Sequence, residues 1–318
     1  MKYLYALISN SNDYFAEQLL ISVFSLKYYN PSAFVSLLTD KKTYESLHER
    51  LPKILDDINE VIIVPFESNF SNIKRSRMLK TNSRNYVKGD FLFLDTDTII
   101  TGPVDESDFR NVNFGAVHDF HEDKLDKIRY KKFIYSCALK LGWDNISGDM
   151  EYFNSGVFWV KDTELNRQFF KKWNKNWLSG TKYNVISDQP SLGMTYASQK
   201  IISELSPFLH CQILGNGLRY LVNAKIIHYF NTSKSKLAGK YPLKIMDIEF
   251  LNKIKTNKQL TSDEIKVILN IKSEFAEDIE FVTGNQIVVV NSNIFKLIGY
   301  IYRKFRPVYN FIDNILER

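Results

Sequence analysis

The sequence predicts an α/β fold whose central sheet is at least partly parallel. A short apolar run at 3–8 ends in the polar cluster SNSND, which is typical of a buried strand bounded by a turn. From Tyr14 to Tyr29, apolar residues recur at helical spacing until Asn30 and Pro31 end the helix. A second apolar run at 33–40 completes a strand–helix–strand unit, and that connection favours parallel strands.

The later segments continue this alternation up to about residue 245. Strands are predicted at 61–66, 91–94, 114–119, 152–160 and 224–231, and helices at 74–87 and 163–178. Beyond residue 245 the pattern changes to lysine-rich, helical segments and a basic, aromatic tail. We therefore expect one α/β domain over 1–245 and a mainly helical extension over 246–318.

Composition excludes several classes of protein. The 318 residues are 44% hydrophobic and 25% charged, so the chain can bury a large core. Its two cysteines, Cys137 and Cys211, are too few for a disulfide scaffold or a cysteine-rich zinc module. The first residues lack the apolar run of a signal peptide, and no apolar stretch reaches the ~18 residues of a membrane span. We expect a cytoplasmic protein.

Half of the net charge of +6 lies in the last residues of the chain. In the segment 294–318, apolar and aromatic residues alternate with Lys296, Arg303, Lys304 and Arg306. This pattern fits an interfacial helix on an anionic membrane surface, and the alternative is a helix packed on the protein or on another subunit. No segment matches an RNA-binding motif, so we expect no nucleic-acid partner. The membrane hypothesis places the protein at the inner face of the cell membrane.

Two aspartates follow the apolar run at 91–94. Asp95 and Asp97 are two residues apart in an extended segment, so both side chains lie on one face. Two carboxylates this close repel unless a divalent cation lies between them, and oxygen ligands suit Mg²⁺ or Mn²⁺. His228 follows another apolar run, and an imidazole would favour Mn²⁺. The alternatives are a solvated loop and an ordinary histidine bonded to the backbone.

Five segments together resemble a known family. FLFLDTDTIITGP, GAVHD, YFNSGV, SDQPSL and HYFNTSK resemble, in order and spacing, the nucleotide-sugar glycosyltransferases of family 8. The likeness is greatest to bacterial galactosyl- and glucosyltransferases that build surface polysaccharide or lipopolysaccharide, and glycogenin is more distant. The resemblance implies a GT-A, Rossmann-like fold with a mixed sheet. It also implies metal-dependent, retaining transfer of glucose or galactose from a UDP-sugar to a hydroxyl of a glycan, which can be lipid-linked.

The resemblance assigns roles to residues that contact the donor. Asp95, Asp97 and His228 match the family's Mn²⁺ ligands, with Mg²⁺ as the alternative metal, and Thr96 lies between the two aspartates. Lys234 matches a lysine that contacts the donor diphosphate. Arg77 resembles the basic residue that holds the pyrophosphate and sugar, with Lys80 as the alternative. A metal and a lysine would stabilise the negative charge that develops on the leaving diphosphate.

The resemblance also assigns roles to residues around the reacting sugar carbon. Asn154 matches an asparagine that binds donor-sugar hydroxyls, and Asp119 has a counterpart near the donor sugar and acceptor. Asp188 and Gln189 match the pair near the anomeric carbon. Because an amide is a poor nucleophile and base, Gln189 favours a front-face mechanism in which the leaving phosphate takes the acceptor's proton. Asp188 as a nucleophile is the alternative.

The cluster Ser9–Asp13 departs from the family pattern. The family commonly has an acidic residue there that contacts uracil, whereas this chain offers Ser9, Asn10 and a shifted Asp13. Uridine is still the expected base, and the alternative is a polar loop with a helix cap at Asn12 or Asp13. Two rival functions remain: an inverting transferase with Asp119 or Asp188 as base, and a non-catalytic protein that binds nucleotide sugars.

Overall fold

A computed structural model describes residues 1–67, 70–213, 215–230, 243–275, 288–289 and 292–316. The chain divides into two compact units, Met1–Lys272 and Ser273–Arg318. The domain boundary expected near residue 245 stays a prediction, although the helices directly after it belong to the first unit.

The first unit alternates strands and helices along most of its length. Its strands are β1 (Lys2–Leu7), β2 (Phe34–Thr39), β3 (Glu60–Ile63), β4 (Phe91–Leu94), β5 (Thr98–Ile100), β6 (Phe114–His118), β7 (Phe153–Val160), β8 (Ser203–Glu204), β9 (Cys211–Gln212) and β10 (Ile226–His228). Its helices are α1 (Phe15–Tyr29), α2 (Lys41–Arg50), α3 (Asn72–Thr81), α4 (Ser83–Tyr86), α5 (Lys131–Leu141), α6 (Glu164–Thr181), α7 (Gln189–Gln199), α8 (Ile248–Asn257), α9 (Ser262–Leu269) and α10 (Ile271–Glu274), the last of which crosses the division between the units.

Seven strands form a mixed sheet in the order β3-β2-β1-β4-β7-β6-β8. The strands β3, β2, β1 and β4 run parallel, whereas β7 is antiparallel to both β4 and β6. The predicted α/β class with a mixed sheet is therefore confirmed. The parallel strands end at one edge of the sheet, which is where α/β proteins bind ligands.

Helices cover both faces of this sheet. On one face, the Tyr5 hydroxyl lies 2.9 Å from Ser22 Oγ of α1. On the other, Phe158 of β7 packs edge-on against Trp173 of α6, with ring centroids 6.1 Å apart, and stacks on Phe93 at 4.5 Å. Buried aromatic rings of the strands thus pack against the helices and hold them on the sheet.

A second, three-stranded sheet has the order β5-β10-β9. In it β10 pairs antiparallel with β5, so that His228 lies opposite Thr98 and Ile226 opposite Ile100. This pairing brings two parts of the chain that are far apart in sequence to the same sheet edge. His228 therefore lies beside the segment that joins β4 to β5.

One helix differs from its predicted bounds. The helix predicted over 74–87 begins at Asn72, where the Ser71 hydroxyl accepts a hydrogen bond from the Lys74 amide at 3.3 Å, and ends at Thr81 before the short α4. The side-chain cap explains the earlier start.

The second unit contains two amphipathic helices in its described part, α11 (Asn293–Lys304) and α12 (Arg306–Leu316). The guanidinium of Arg306 lies 3.7 Å from the Tyr302 ring centroid and 5.8 Å from that of Tyr309. Across the described residues, no helix is both long enough and apolar enough to cross a membrane.

Candidate active site

Asp95, Asp97 and His228 form one cluster. Asp95 and Asp97 belong to the short connection between β4 and β5, and the pairing of β10 with β5 brings His228 next to them. One potential ligand atom from each residue lies within 4.8 Å of the other two. Nε2 of His228 is 3.2 Å from Oδ1 of Asp97. In the described part of the chain, this is the one group of three or more such side chains that is close enough to hold a metal ion.

The two carboxylates have different electrostatic surroundings. Burial raises the pKa of Asp95, and the nearby Asp97 adds to that effect while Lys80 opposes it, so the pKa lies above its ordinary value. For Asp97, burial acts in the same direction, but the charge and hydrogen bond of His228 outweigh it and leave the pKa below its ordinary value. The pair therefore concentrates negative charge at one point, which favours a divalent cation.

The imidazole of His228 is held on three sides. Its Nδ1 is 2.9 Å from Nε2 of the fully buried His210, and its ring stacks on Phe230 with centroids 3.8 Å apart. On another side lies Gly156 of β7, where an added Cβ would be 2.4 Å from Cε1 of His228. When Nδ1 of His228 donates to His210, Nε2 carries the lone pair that a metal ion requires. The residues present thus fit a divalent cation.

Two cations of α3 face the acidic cluster. Lys80 Nζ lies 2.7 Å from Oδ2 of Asp95 and 3.9 Å from Oδ2 of Asp188, and Arg77 Nε lies 3.2 Å from Oδ1 of Asp188. Arg77 and Lys80 are three residues apart, so they share one face of the helix. The structure therefore brings both candidates for the pyrophosphate-binding residue into the site.

Asp188 is buried at the end of the loop that enters α7. Its Oδ2 accepts a hydrogen bond from Ser155 Oγ at 2.8 Å, and its backbone carbonyl accepts one from Trp173 Nε1 at 3.0 Å. Burial raises the pKa of this carboxyl, but Arg77, Lys80 and Ser155 outweigh that effect, so the pKa lies below its ordinary value. Asp188 is thus an ionised, ion-paired group that is poorly suited to accept a proton.

A pocket of about 260 Å³ opens at the carboxyl end of β1, directly beside this cluster. Its wall includes five of the residues predicted to bind the donor or the metal: Asp13, Arg77, Asp95, Thr96 and Asp97. The rest of the wall comes from the end of β1 and the starts of α1 and α3, including Phe15 and Asn72. The pocket therefore combines an aromatic ring, amides, a cation and carboxylates, as a nucleotide site would.

The loop after β1 is fastened by its own polar groups. Asp13 accepts hydrogen bonds from Ser9 Oγ at 2.5 Å and from the Asn10 amide at 3.0 Å. Arg50 of α2 donates to the Asn10 carbonyl at 2.6 Å and to Ser9 Oγ at 3.2 Å, and it forms a buried ion pair with Glu17 at 2.9 Å. Of the three residues predicted to contact the base, Asp13 lines the pocket, whereas Ser9 and Asn10 shape the loop.

A network of polar side chains is centred on the buried carboxyl group of Asp119. Asn154 Nδ2 donates to Asp119 Oδ1 at 2.7 Å, and the Tyr130 hydroxyl donates to Asp119 Oδ2. Gln189 Nε2 donates to the Tyr130 oxygen at 3.0 Å. Three residues predicted to surround the sugar thus belong to one network, in which Asn154 bonds Asp119 directly and Tyr130 connects Gln189 to Asp119.

His210, Arg50 and Tyr130 are the residues in this region that sequence reasoning missed. None of them lies in a motif, and each reaches the site from another element: His210 from the residue before β9, Arg50 from the end of α2 and Tyr130 from the residue before α5. A basic or aromatic residue in a loop gives no local signal of such a contact. Lys234 lies outside the described residues, so its role stays a prediction.

Glycosyltransferases are among the solved structures that are similar to this chain. The crystal structure of the galactosyltransferase LgtC in complex with donor and acceptor sugar analogues matches with a TM-score of 0.53 at 14% identity, over 84% of this chain and 100% of that one. An active-site mutant of LgtC matches with a TM-score of 0.50 at 14% identity, over 85% and 100% of the two chains.

The apo form of mouse xyloside xylosyltransferase 1 matches with a TM-score of 0.49 at 13% identity, over 72% of this chain and 98% of that one. No protein-family model and no curated protein sequence matches this chain. Strand order and the structural match to LgtC together show that the chain has the GT-A glycosyltransferase fold.

Proposed function

We propose that this protein is a metal-dependent, retaining glycosyltransferase that moves glucose or galactose from a UDP-sugar to a hydroxyl of a glycan acceptor. The single observation that carries the proposal is the Asp95–Asp97–His228 cluster at the rim of a pocket in a GT-A fold. The resemblance to bacterial transferases suggests a role in the synthesis of a surface glycan.

Mn²⁺ is the proposed cofactor, and Mg²⁺ is the alternative. Two carboxylates and an imidazole are a donor set that suits Mn²⁺ better than Mg²⁺. Held by Asp95, Asp97 and His228, the cation would act as a Lewis acid that neutralises charge on the diphosphate. The second imidazole, His210, would orient His228 through their 2.9 Å hydrogen bond.

The cations of α3 have a proposed role in donor binding. Arg77 and Lys80 now pair with Asp188 and Asp95, and an arriving diphosphate would compete for the same cations. We assign the nucleoside to the pocket beside Asp13 and Phe15, the sugar hydroxyls to Asn154, and a further diphosphate contact to Lys234.

Retention of configuration is the proposed stereochemical outcome. An inverting mechanism needs a carboxylate base, and both candidates are already engaged: Asp188 by Arg77, Lys80 and Ser155, and Asp119 by Tyr130 and Asn154. The amide of Gln189 would instead face the reacting carbon while the leaving phosphate accepts the proton of the acceptor hydroxyl. The α-linked donor then gives an α-linked product.

The second unit is the proposed membrane anchor. Three apolar side chains of α11 and α12 and the one between the helices are at least half exposed: Ile294 at 72%, Leu297 at 57%, Phe305 at 52% and Phe311 at 67%. Apolar residues recur at helical spacing along both helices, and the basic residues lie in α11 and at the first residue of α12, Arg306. Such helices would lie in the interface of an anionic membrane and hold the enzyme near a lipid-linked acceptor at the inner face of the cell membrane.

The test is a screen of UDP-sugars for metal-dependent hydrolysis without acceptor, followed by transfer to glycan acceptors. We expect one hexose donor to be turned over with Mn²⁺, no turnover in excess chelator, and an α-linked product by NMR coupling constants. Folded Asp97→Ala protein should be inactive because it lacks a charged ligand. Full activity of Asp97→Ala would disprove the metal site, and a β-linked product would disprove retention.

A further inference from the structure

The Gln189 side chain can lie in two orientations, and what each would do to the reaction rests on the proposed function. A glutamine amide has two different ends, a carbonyl oxygen that accepts hydrogen bonds and an NH₂ group that donates them. Only the carbonyl end can stabilise positive charge on a reacting sugar carbon. The choice between the two ends therefore matters for turnover.

In each hydrogen bond around Asp119 the donor and the acceptor can be identified, starting from a backbone amide. The Gly156 amide can only donate, and it donates to Asn154 Oδ1 at 2.8 Å. The other end of the Asn154 side-chain amide, Nδ2, must then be the donor to Asp119 Oδ1 at 2.7 Å. The polarity of Asn154 is thus set by a main-chain group of β7.

The Tyr130 hydroxyl also has a defined donor and acceptor role. Asp119, as a carboxylate, only accepts, so the single proton of the Tyr130 hydroxyl is committed to its Oδ2. The tyrosine oxygen can then act only as an acceptor toward Gln189, which lies 3.0 Å away through Nε2. Burial, followed by the charge of Asp119, raises the pKa of Tyr130 well above its ordinary value, so the hydroxyl keeps its proton.

Two further contacts hold this arrangement in place. The Tyr130 ring packs edge-on against Phe120, with centroids 5.3 Å apart, and the Asp119 amide donates to the Tyr152 carbonyl at 2.8 Å. Burial raises the pKa of Asp119, although hydrogen bonds from Tyr130, Asn154 and Gln189 oppose that effect. The Tyr130 hydroxyl and the Asn154 amide thus occupy the two oxygens of this carboxyl group, Oδ2 and Oδ1.

We propose that Tyr130 is a positioning residue that fixes which end of the Gln189 amide faces the donor sugar. With the NH₂ group turned to Tyr130, the carbonyl oxygen is the end presented to the anomeric carbon. Without the hydroxyl, the amide could turn over and present its NH₂ group, which repels developing positive charge.

A double-mutant cycle tests the proposal. Tyr130→Phe keeps the ring and removes the hydroxyl, and it should lower kcat about fivefold to tenfold, the size expected for one hydrogen bond, with donor KM unchanged. In a Gln189→Ala background the same change should lower kcat less than twofold, because the amide it orients is gone. Tyr135→Phe is the matched control, since Tyr135 lies on α5 and bonds Asp126 at the surface, at 3.1 Å.

Several results would overturn the inference. These are an unchanged kcat in Tyr130→Phe, an equal loss in both backgrounds, and a parallel fall in donor affinity. If Tyr130→Phe does not fold, Asp119→Asn enters the same cycle, because it frees the tyrosine proton and should give the same non-additive loss.

A second measurement needs no activity. The side-chain amide of Gln189, assigned in a ¹⁵N spectrum by its loss in Gln189→Ala, should exchange its protons faster in Tyr130→Phe than in the wild-type protein. Equal exchange rates would overturn the inference. If the wild-type protein turns over no UDP-sugar, the proposed function fails, and the exchange rates still decide whether Tyr130 orients the amide.

Discussion

At the residue scale, the candidate metal site depends on close packing around His228. The ring lies between the backbone of β7 and the rings of His210 and Phe230, so its position tolerates little added volume. A side chain at Gly156 would enter this space directly. Glycine is therefore required here by contact and not by backbone conformation.

Gly156→Ala is expected to weaken Mn²⁺ binding at least tenfold. Its Cβ would lie 2.4 Å from Cε1 and 2.7 Å from Nδ1 of His228, so the imidazole must shift from the position it has beside Asp97. Loss of ligand orientation typically costs ~10–100-fold in metal affinity. A Mn²⁺ titration followed by EPR measures this effect. Gly102→Ala is the control, because its Cβ would make an ordinary 3.8 Å contact with Lys225. Equal affinities for the two variants would contradict the prediction.

A second residue-scale prediction concerns pH. His121 is buried, and its Nε2 accepts a hydrogen bond from the Gln212 amide at 3.1 Å, so the ring must be neutral. Burial, then the charges of Arg219 and His118, lower the pKa of His121 to about 4. Because the folded pKa lies below the unfolded value of ~6.5, the contribution to stability is complete above that pH and is lost as the pH falls toward 4.

Between pH 7 and pH 5, protonation of His121 in the unfolded chain should therefore remove ~2 kcal/mol from the free energy of unfolding. His121→Gln keeps an acceptor but does not titrate, so urea unfolding at the two pH values should show a smaller difference than in the wild-type protein. His48→Gln, a change on the surface of α2, should leave the difference unaltered. If the free energy of unfolding changes equally between the two pH values in His121→Gln and in the wild-type protein, His121 is not the cause of the change.

At the element scale, α3 supplies the cations of the site. Ser71 caps its start, and the helical spacing then presents Arg77 and Lys80 on the face that meets Asp188 and Asp95. One helix thus links the pocket to the residues proposed for the chemistry. Its capping and spacing are local properties, but what the helix faces is decided by the sheet beside it.

Arg77→Ala is expected to weaken binding of UDP about 10- to 100-fold. A charge-assisted hydrogen bond to phosphate contributes ~1.5–3 kcal/mol, and the guanidinium lies on the pocket wall. Isothermal titration with UDP and Mn²⁺ provides the measurement. Lys74→Ala, on the same helix but outside the pocket wall, should change the affinity less than twofold. Similar losses in both variants would indicate a general charge effect and not a contact.

At the scale of the whole molecule, the two compact units have separate proposed tasks. The candidate active site lies within Met1–Lys272, and the basic, amphipathic helices lie within Ser273–Arg318. Membrane binding and donor hydrolysis should therefore be separable by substitution.

Replacement of Lys296, Arg303, Lys304 and Arg306 with Glu should abolish binding to vesicles that contain anionic lipid. Each basic residue near such a surface contributes ~1 kcal/mol, and this attraction weakens with salt. Co-sedimentation with anionic and neutral vesicles measures the binding, and hydrolysis of the UDP-sugar should stay at the wild-type rate. Unaltered vesicle binding by the variant would refute the electrostatic anchor, and a matching loss of hydrolysis would refute the separation of tasks.

The sequence alone was enough to predict the α/β class, the first βαβ unit and the two aspartates at the end of a buried strand. These features depend on apolar runs, helical spacing and turn residues, all of which act between near neighbours in the chain. The resemblance of five short segments added the GT-A fold, which the structural match supports.

The resemblance predicted that Asp95, Asp97 and His228 share a site, but only the tertiary structure decided how distant side chains come into contact. The antiparallel pairing of β10 with β5 places His228 beside Asp97, 131 residues away in sequence, and loop packing brings Tyr130 to Gln189, 59 residues away. It also showed that Arg77 and Lys80 both enter the site, and that Ser9 and Asn10 fasten a loop. Such contacts depend on strand order and on the direction of each hydrogen bond, and neither leaves a periodic signal in the sequence.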